Sequence, residues 1–133
     1  MHRLTWIVPL LTVLFVSTAA PALELVMFRR AGCSWCAAWD REIGPIYPKT
    51  EVGRRAPVRF ANTERPSEAK VALKSPVRYS PTFVVVQDNR ELARIEGYPG
   101  QDFFWARLER LVPEAATKDG AQSRARQTAE APR

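Results

Sequence analysis

The sequence predicts one α/β domain with a central mixed four-stranded sheet and helices on both faces. Along the chain, apolar residues change from the alternation of strands to the three-and-four spacing of helices. The first half reads strand, helix, strand, which favours parallel pairing. The most apolar strand is followed by an Asp-Asn turn and an alternating strand, which favours an antiparallel hairpin. The predicted order is strand, helix, strand, helix, strand, strand, helix, and 133 residues suit one domain.

The first 22 residues have the pattern of a cleavable export signal. Arg3 supplies a positive start, an apolar run covers residues 4–16, and small residues end in an Ala-x-Ala pattern at Ala22. An uncleaved membrane anchor is the alternative, but a bilayer-spanning helix needs about 20 apolar residues. We therefore expect cleavage after Ala22 and a periplasmic protein, in a compartment where disulfides persist.

The first half of the domain is expected to contain two strands with a helix between them. Residues 23–28 form an apolar run suited to a buried strand, and residues 57–62 alternate as a second strand. The helix should begin at Ser34, be interrupted at Gly44-Pro45 and end at Pro48. Its buried face is expected to consist of Trp39, Ile43, Ile46 and Tyr47.

The second half is expected to contain a short helix, a hairpin and a last helix. Ser67 should cap a helix that runs through Leu73. Residues 82–86 and 91–96 are predicted as antiparallel strands joined at Asp88-Asn89. The last helix, which Pro113 should close, has its apolar positions at Phe103, Phe104, Leu108 and Leu111.

The domain is expected to span residues 23–113. Residues 114–133 contain no aromatic residue and are rich in Ala, Thr, Gln and charged residues. Such a composition buries too little apolar surface to offset the entropy of ordering, so we expect a disordered tail.

The net charge of +6 is spread along the chain rather than concentrated in a run. Arg29-Arg30 and Arg54-Arg55 are the only basic doublets, a pattern that argues against a nucleic-acid-binding arm. A solvated cationic surface is the simplest interpretation, and electrostatic steering of acidic partners is the alternative.

Histidine chemistry is excluded for the mature chain. The only histidine is His2, which lies in the segment that we expect to be removed. This excludes Ser-His and Cys-His catalysis and histidine zinc sites, and two cysteines are too few for a structural zinc site within one chain. We therefore expect no cofactor and no metal.

The two cysteines, Cys33 and Cys36, lie where the first strand meets the first helix. Their spacing places both sulfur atoms on one side of a helical turn, within reach of a disulfide. The helix N-terminus favours a thiolate at Cys33, and Arg29 and Arg30 would add positive potential. Cys33 is then the attacking sulfur, and the deeper Cys36 resolves the mixed disulfide. A purely structural disulfide is the alternative, but so short a loop would stabilise the fold little.

Two motifs, Cys33-Ser34-Trp35-Cys36 and Ser80-Pro81-Thr82, resemble the thioredoxin superfamily. The resemblance covers residues 23–113 and implies a thioredoxin-like fold in which Pro81 is cis and packs beside the cysteine pair. It also implies that the Ser80 backbone pairs with an extended substrate segment and that Trp35 lies at the contact surface. Met27 stands where many members carry a buried acid that assists proton transfer, and typical thioredoxins have Gly-Pro between the cysteines.

The sequence is more narrowly similar to the small periplasmic thioredoxins of bacterial sulfur-oxidation systems (SoxS-type). This resemblance is carried by residues 28–36, by Trp39, Glu42-Ile43 and residues 45–47 that follow them, and by residues 79–83 and 97–100. It implies a thiol–disulfide oxidoreductase, working as a reductant of protein disulfides or of the cysteine of a sulfur-carrier protein. It also implies a membrane thiol-transfer protein as electron donor. We expect a monomer that binds no nucleic acid.

Three alternatives stay open at this point. The same cysteine pair suits a disulfide oxidant or isomerase, because the direction of exchange depends on the redox potential. Two thiolates can also hold Cu(I), although no histidine or nearby methionine completes such a site. In a non-catalytic interaction domain, Trp35 would be an ordinary surface residue. Trp39, Phe103 and Phe104 are expected in the core whatever the function.

Overall fold

The computed structural model describes residues 23–112 of the chain. The predicted export signal, Pro113 and the predicted tail lie outside the described residues. Within residues 23–112, none of the helices has the length and apolar character needed to cross a membrane.

Four strands and three α-helices make up the described part of the chain. The strands are β1 (Leu23–Arg29), β2 (Val58–Asn62), β3 (Thr82–Gln87) and β4 (Arg90–Glu96). The α-helices are α1 (Ser34–Glu42), α2 (Glu51–Arg55) and α3 (residues 101–112). Two short 3₁₀ helices lie between these elements, at Tyr47–Lys49 and Pro66–Ala69.

The strands form one sheet in the order β2-β1-β3-β4. β1 pairs in parallel with β2 and antiparallel with β3, and β3 pairs antiparallel with β4. The predicted mixed four-stranded α/β fold is therefore confirmed. In the central pair, Phe28 lies opposite Thr82, so that the ends of β1 and β3 that carry the two sequence motifs meet.

Asp88 and Asn89 join β3 to β4, as predicted. Both residues have positive φ angles, of 50° and 59°. Asp and Asn tolerate this left-handed conformation better than most side chains, and two such residues in succession form the tight turn that matches strand twist. Local turn chemistry therefore explains the hairpin.

Helix α1 ends earlier than the spacing of its apolar residues suggests. Ile46, expected on the buried face, is 40% exposed, and its predicted place in the core is wrong. The helix stops at Glu42. In the turn that follows, an added Cβ at Gly44 would lie 2.7 Å from a backbone oxygen, and Pro45 has no N–H to continue the helix. The change of direction carries Ile46 off the helical face.

The sequence pattern does not predict α2, because five residues that include a glycine show no helical period. The helix is capped by Thr50, whose Oγ1 accepts a hydrogen bond from the Gly53 N–H at 3.0 Å. An added Cβ at Gly53 would overlap the carbonyl oxygen of Tyr47. Close packing of α2 against the buried Tyr47, whose hydroxyl donates to the Ala56 carbonyl, therefore fixes this short helix.

The helix expected from Ser67 to Leu73 is wrong. A 3₁₀ helix takes its place and ends at Lys70, whose φ of 53° is left-handed and stops helical hydrogen bonding. Ser67 does not cap it, because the N-cap residue is Arg65. Residues 70–79 then run as irregular chain apart from an isolated bridge, and we call them the covering segment.

Each face of the sheet carries its own hydrophobic cluster. On one face, alternate strand residues such as Met27 and Phe83 pack with residues of α1 and α3. On the other face, the intervening residues, such as Val26 and Val84, pack against the second 3₁₀ helix and the covering segment. Both faces are thus covered, and on the second face much of the cover is irregular chain.

Helix α3 buries Phe104, Leu108 and Val112, which follow one another at intervals of four. Phe103, expected in the core, is 70% exposed, and that expectation is wrong. Neighbouring residues point about 100° apart around a helix, so only one of the two phenylalanines can face the sheet. Phe104 takes the core position, with its ring centroid 4.8 Å from that of Phe83.

A buried ion pair fastens the covering segment to β4. The Glu91 carboxylate, 2% exposed, accepts hydrogen bonds from two Arg94 nitrogens at 2.6 and 2.7 Å and from the Lys74 N–H at 2.8 Å. Arg94 also donates to the carbonyl oxygens of Ser75 and Pro76, at 2.8 and 3.3 Å. These bonds satisfy backbone groups that no strand or helix pairs, so irregular chain can lie against the sheet.

We expect the free energy of unfolding to fall in acid. Burial opposes ionisation of Glu91, but the hydrogen bonds from Arg94 and the Lys74 N–H outweigh it and hold the pKa of Glu91 below its usual range. Such a carboxyl group stabilises the fold above its unfolded pKa, near 4.5, and loses that contribution as the pH falls through the lower folded pKa. Urea denaturation at several pH values between about 7 and 3 measures the loss.

The matched variants for this measurement are Glu91→Gln and Glu64→Gln, since Glu64 is exposed and makes no ion pair within residues 23–112. Glu91→Gln should lower stability at neutral pH by about 1–3 kcal/mol and flatten its pH dependence. Glu64→Gln should behave like the wild type. Equal acid sensitivity in Glu91→Gln and wild type would contradict this role of Glu91.

Candidate active site

The cysteine pair lies at the junction of β1 and α1, as predicted. β1 ends at Arg29, a turn follows, and α1 begins at Ser34. In that turn Gly32 has a φ of 70°, the left-handed region that glycine enters without a steric cost. Cys33 and Cys36 form a disulfide with their Cα atoms 5.2 Å apart, a separation typical of disulfides.

Cys33 is also the N-cap residue of α1. Its Sγ accepts a hydrogen bond from the Cys36 N–H, and its carbonyl oxygen accepts one from the Ala37 N–H, both at 3.1 Å. The unpaired N–H groups and the dipole of a helix N-terminus stabilise negative charge. In the reduced protein, the Cys33 sulfur is therefore well placed to carry the charge of a thiolate.

The two sulfur-bearing residues differ in accessibility. Cys33 is partly exposed, whereas Cys36 is fully buried in the larger hydrophobic cluster. A sulfur atom of another protein can reach Cys33 but not Cys36. The arrangement suits attack by Cys33 and resolution by Cys36.

The pairing of β1 with β3 brings Ser80 and Pro81 to the cysteine pair. The Ser80–Pro81 peptide bond is cis, and Pro81 is buried. The Ser80 Oγ accepts a hydrogen bond from the Arg30 N–H at 3.2 Å and lies 3.4 Å from the Cys36 Sγ. Because the disulfide-bonded Cys36 sulfur has no proton, the Ser80 hydroxyl is the donor of this pair.

The backbone next to Pro81 offers unpaired groups. The carbonyl oxygen of Pro81 accepts from the Gly97 N–H, and that of Tyr79 accepts from the Thr82 hydroxyl, both at 2.7 Å. Within residues 23–112, neither the N–H nor the C=O of Ser80 makes a hydrogen bond. An extended segment of another chain could pair with these groups as an added strand.

Two grooves lie beside the cysteine pair. The strand-side groove has a volume of about 690 Å³ and is lined by Arg29, Arg30, Ala31, Gly32, Cys33, Ser34, Ala37, Phe60, Ala61 and Asn62. The proline-side groove has a volume of about 420 Å³ and is lined by Arg30, Trp35, Thr63, Arg78, Tyr79, Ser80, Gly97 and Tyr98. Trp35 and Tyr79 are 61% and 57% exposed, so the proline-side groove offers aromatic surface for contact.

Arg29 and Arg30 differ in how their charges are compensated. Arg29 donates two hydrogen bonds to the Asp40 carboxylate, at 2.8 and 2.7 Å, and its guanidinium carbon lies 5.2 Å from the centre of the Phe60 ring. Arg30 makes no ion pair within residues 23–112. Of the two arginines expected to add positive potential near Cys33, only Arg30 therefore brings an uncompensated charge.

The side chain of Met27 stands where many thioredoxins have a buried acidic side chain near the deeper cysteine. Met27 is fully buried, and it belongs to the same hydrophobic cluster as Cys36. The polar side chain that contacts the Cys36 sulfur is that of Ser80. Across residues 23–112, no group of three or more His, Cys, Asp or Glu side chains is placed to hold a metal ion.

The structure brings together the five residues predicted for the site, which are Cys33, Cys36, Trp35, Ser80 and Pro81. Arg78 and Tyr79 also line the proline-side groove, although neither was predicted to belong to the site. Their positions directly before Ser80-Pro81 are the signal that would have indicated them.

Comparison with solved structures finds thioredoxins. The periplasmic thioredoxin SoxS from Paracoccus pantotrophus, in its reduced form, is 47% identical to this chain, with a TM-score of 0.67. The match covers 70% of this chain and 98% of that chain. Fasciola hepatica thioredoxin shares the fold, with 21% identity and a TM-score of 0.52 over 68% of this chain and 81% of that chain.

No protein-family model matches the sequence, and no curated protein sequence matches it. The likeness to SoxS is nonetheless close and spans nearly all of that protein. It agrees with the fold and with the disulfide at the strand-to-helix junction. The chain therefore belongs to the thioredoxin superfamily, among the SoxS-type proteins, and is a thiol–disulfide oxidoreductase.

Proposed function

We propose that the protein reduces disulfide bonds of protein substrates in the periplasm, with Cys33 as the attacking and Cys36 as the resolving residue. The observation that carries the proposal is the unequal exposure of two bonded cysteines at a helix N-terminus. Only Cys33 can meet a bulky partner, and the buried Cys36 lies within bonding distance of it.

In the first step, the Cys33 thiolate attacks one sulfur of a substrate disulfide. A bond forms between Cys33 Sγ and that sulfur, the substrate S–S bond breaks, and the other substrate sulfur leaves as a thiolate that takes up a proton. The N-terminus of α1 stabilises the attacking thiolate before the step. The product is a mixed disulfide between the two proteins.

In the second step, Cys36 resolves the mixed disulfide. Its thiol loses a proton, its sulfur bonds to Cys33 Sγ, and the substrate sulfur leaves as a second thiolate, which takes up a proton. Two electrons and two protons have then passed to the substrate, and the Cys33–Cys36 disulfide remains. The Ser80 hydroxyl, 3.4 Å from Cys36 Sγ, supports this step by donating to the thiolate as it forms.

Substrate docking is proposed at the proline-side groove. The unpaired N–H and C=O of Ser80 would pair with an extended substrate segment, next to the buried Pro81. Trp35, which is exposed between the two cysteines, would contact the same segment. The main-chain pairing accounts for action on different polypeptides, because it depends on no particular substrate side chain.

The periplasmic location is supported by the SoxS relative, which is described as a periplasmic thioredoxin, and by the predicted export signal. On the same basis we propose sulfur-carrier cysteines among the substrates and a membrane thiol-transfer protein as electron donor. We further propose that the protein works as a monomer.

The likeness to thioredoxins favours an oxidoreductase over a Cu(I)-binding module and over a non-catalytic domain.

The direction of exchange is tested by equilibrating the protein with glutathione buffers and measuring the fraction of disulfide by mass spectrometry. We expect a potential closer to about −270 mV, which is typical of reducing thioredoxins, than to about −120 mV, which is typical of strong oxidants. A value near the second figure would show that the protein is an oxidant.

The Cys36→Ser variant should trap the mixed disulfide, because Cys33 still attacks and nothing resolves the product. Insulin incubated with the reduced variant should appear as a covalent complex on non-reducing gels, and mass spectrometry should map the bond to Cys33. The matched Cys33→Ser variant should form no complex, since Cys36 is buried. Complexes formed through Cys36 would show that the proposed roles are reversed.

The Ser80→Ala variant should prolong the lifetime of the mixed disulfide by about tenfold, because one hydrogen bond to a developing charge is worth about 1–2 kcal/mol. Rapid chemical quenching with a peptide disulfide separates this second step from the first. Ser80→Thr keeps a hydroxyl and should restore the rate, whereas Ser67→Ala, at an exposed position of the second 3₁₀ helix, serves as a control. An unchanged lifetime in Ser80→Ala would exclude the proposed role of the hydroxyl.

A further inference from the structure

The two grooves beside the cysteine pair are lined by arginines and by no acidic side chain. Arg29 and Arg30 line the strand-side groove, and Arg30 and Arg78 line the proline-side groove. A partner that enters the proline-side groove therefore meets positive charge with no carboxylate among the lining side chains. The spread of the net charge along the sequence does not reveal this local arrangement.

Two of these three charges are available to a partner. Arg29 is compensated by its paired hydrogen bonds to Asp40. Arg30 and Arg78 are exposed, and neither makes an ion pair within the described part of the chain. An exposed arginine without a carboxylate partner can pair with one that another molecule supplies.

The wall that carries Arg78 is held in place before a partner arrives. Arg78 belongs to the covering segment, whose backbone at Lys74, Ser75 and Pro76 is bound by the side chains of Glu91 and Arg94. The following residue, Tyr79, is fastened through its carbonyl oxygen to the Thr82 hydroxyl. A preformed wall loses less entropy on binding than a mobile loop, so its charges contribute more fully to recognition.

The positions of the two arginines define which part of a partner they can reach. Arg78 lies two residues before Ser80, and Arg30 lies three residues before Cys33. The free backbone groups of Ser80 would pair with the partner. An extended chain advances about 3.3 Å per residue. A partner segment paired with Ser80 and bonded to Cys33 would therefore carry the side chains within about two residues of its cysteine along the proline-side groove, which Arg30 and Arg78 line.

We infer that this oxidoreductase selects polypeptide substrates that carry acidic side chains within about two residues of the reactive cysteine, through Arg30 and Arg78 in the proline-side groove. The exposed rings of Trp35 and Tyr79 supply apolar contact in the same groove. This inference rests on the proposed attack of Cys33 on a protein disulfide, and it adds a specificity that main-chain pairing lacks.

The test uses three synthetic peptides of equal length, each joined through one cysteine to thionitrobenzoate. The sequences are Gly-Asp-Cys-Asp-Gly, Gly-Asn-Cys-Asn-Gly and Gly-Lys-Cys-Lys-Gly. Attack by the reduced protein releases coloured thionitrobenzoate, so stopped-flow absorbance gives the second-order rate constant for each peptide. At low salt we expect the acidic peptide to react about tenfold faster than the basic one, which corresponds to about threefold for each of two exposed ion pairs.

The ratio of the acidic to the basic rate constant is the decisive quantity, because a general change in Cys33 reactivity cancels in it. The double variant Arg30→Gln/Arg78→Gln should bring this ratio close to one. The matched control Arg107→Gln/Arg110→Gln removes the same charge from exposed positions of α3 outside both grooves and should largely keep the wild-type ratio. In the wild type, added salt should lower the ratio, which tests the inference without any variant.

Three outcomes would overturn the inference. The first is a wild-type ratio near one at low salt, and the second is an equal loss of ratio in both double variants, which would indicate only the net charge. The third is a double variant that slows all three peptides equally, which would mean that the arginines act on the Cys33 sulfur rather than on the partner. If the wild type released thionitrobenzoate from none of the peptides, the proposed function itself would fail.

Discussion

The antiparallel pairing of β1 with β3 is the interaction on which the whole site depends. Its register sets Phe28 opposite Thr82, so that the turn after β1 and the residues before β3 share one end of the sheet. The Ser80 hydroxyl therefore contacts both the Arg30 N–H and the Cys36 sulfur, although Ser80 and Cys36 are 44 residues apart in the sequence. A slip of one residue would move the side chains of a strand to the opposite face and so disrupt the packing of both hydrophobic clusters.

The parts of the fold and site that the sequence predicts are those with local signals. β3 is a Val-rich run that is buried along its entire length. Asp88 and Asn89 are residue types that tolerate the left-handed backbone conformation of the hairpin turn. The position of Cys33 and Cys36 at the strand-to-helix junction follows from the change in period at that point. The cis bond at Pro81 has no such local signal, because most X–Pro bonds are trans, and only the resemblance to thioredoxins indicated it.

The parts that escape prediction are decided by packing between distant segments. Phe103 and Phe104 are equally apolar, and only the approach of α3 to the sheet determines which one is buried. The backbone of the covering segment is bound by the side chains of Glu91 and Arg94, on a strand that follows it, and no local pattern in the segment indicates this. The place of Arg78 in the groove has the same origin, since no periodic pattern involves it.

Cys33 Sγ occupies the place that a Ser or Asp oxygen takes at many helix starts, and it accepts the Cys36 N–H there. In the oxidised protein this atom is a weak, neutral acceptor, whereas in the reduced protein it can bear a full negative charge toward the same N–H. The first turn of α1 thus favours the reduced form. By a thermodynamic cycle, the free energy by which this hydrogen bond stabilises the reduced fold more than the oxidised fold is also its contribution to the ease of reducing the disulfide. The redox potential of the disulfide and the free energy of unfolding are therefore coupled through a single helix cap.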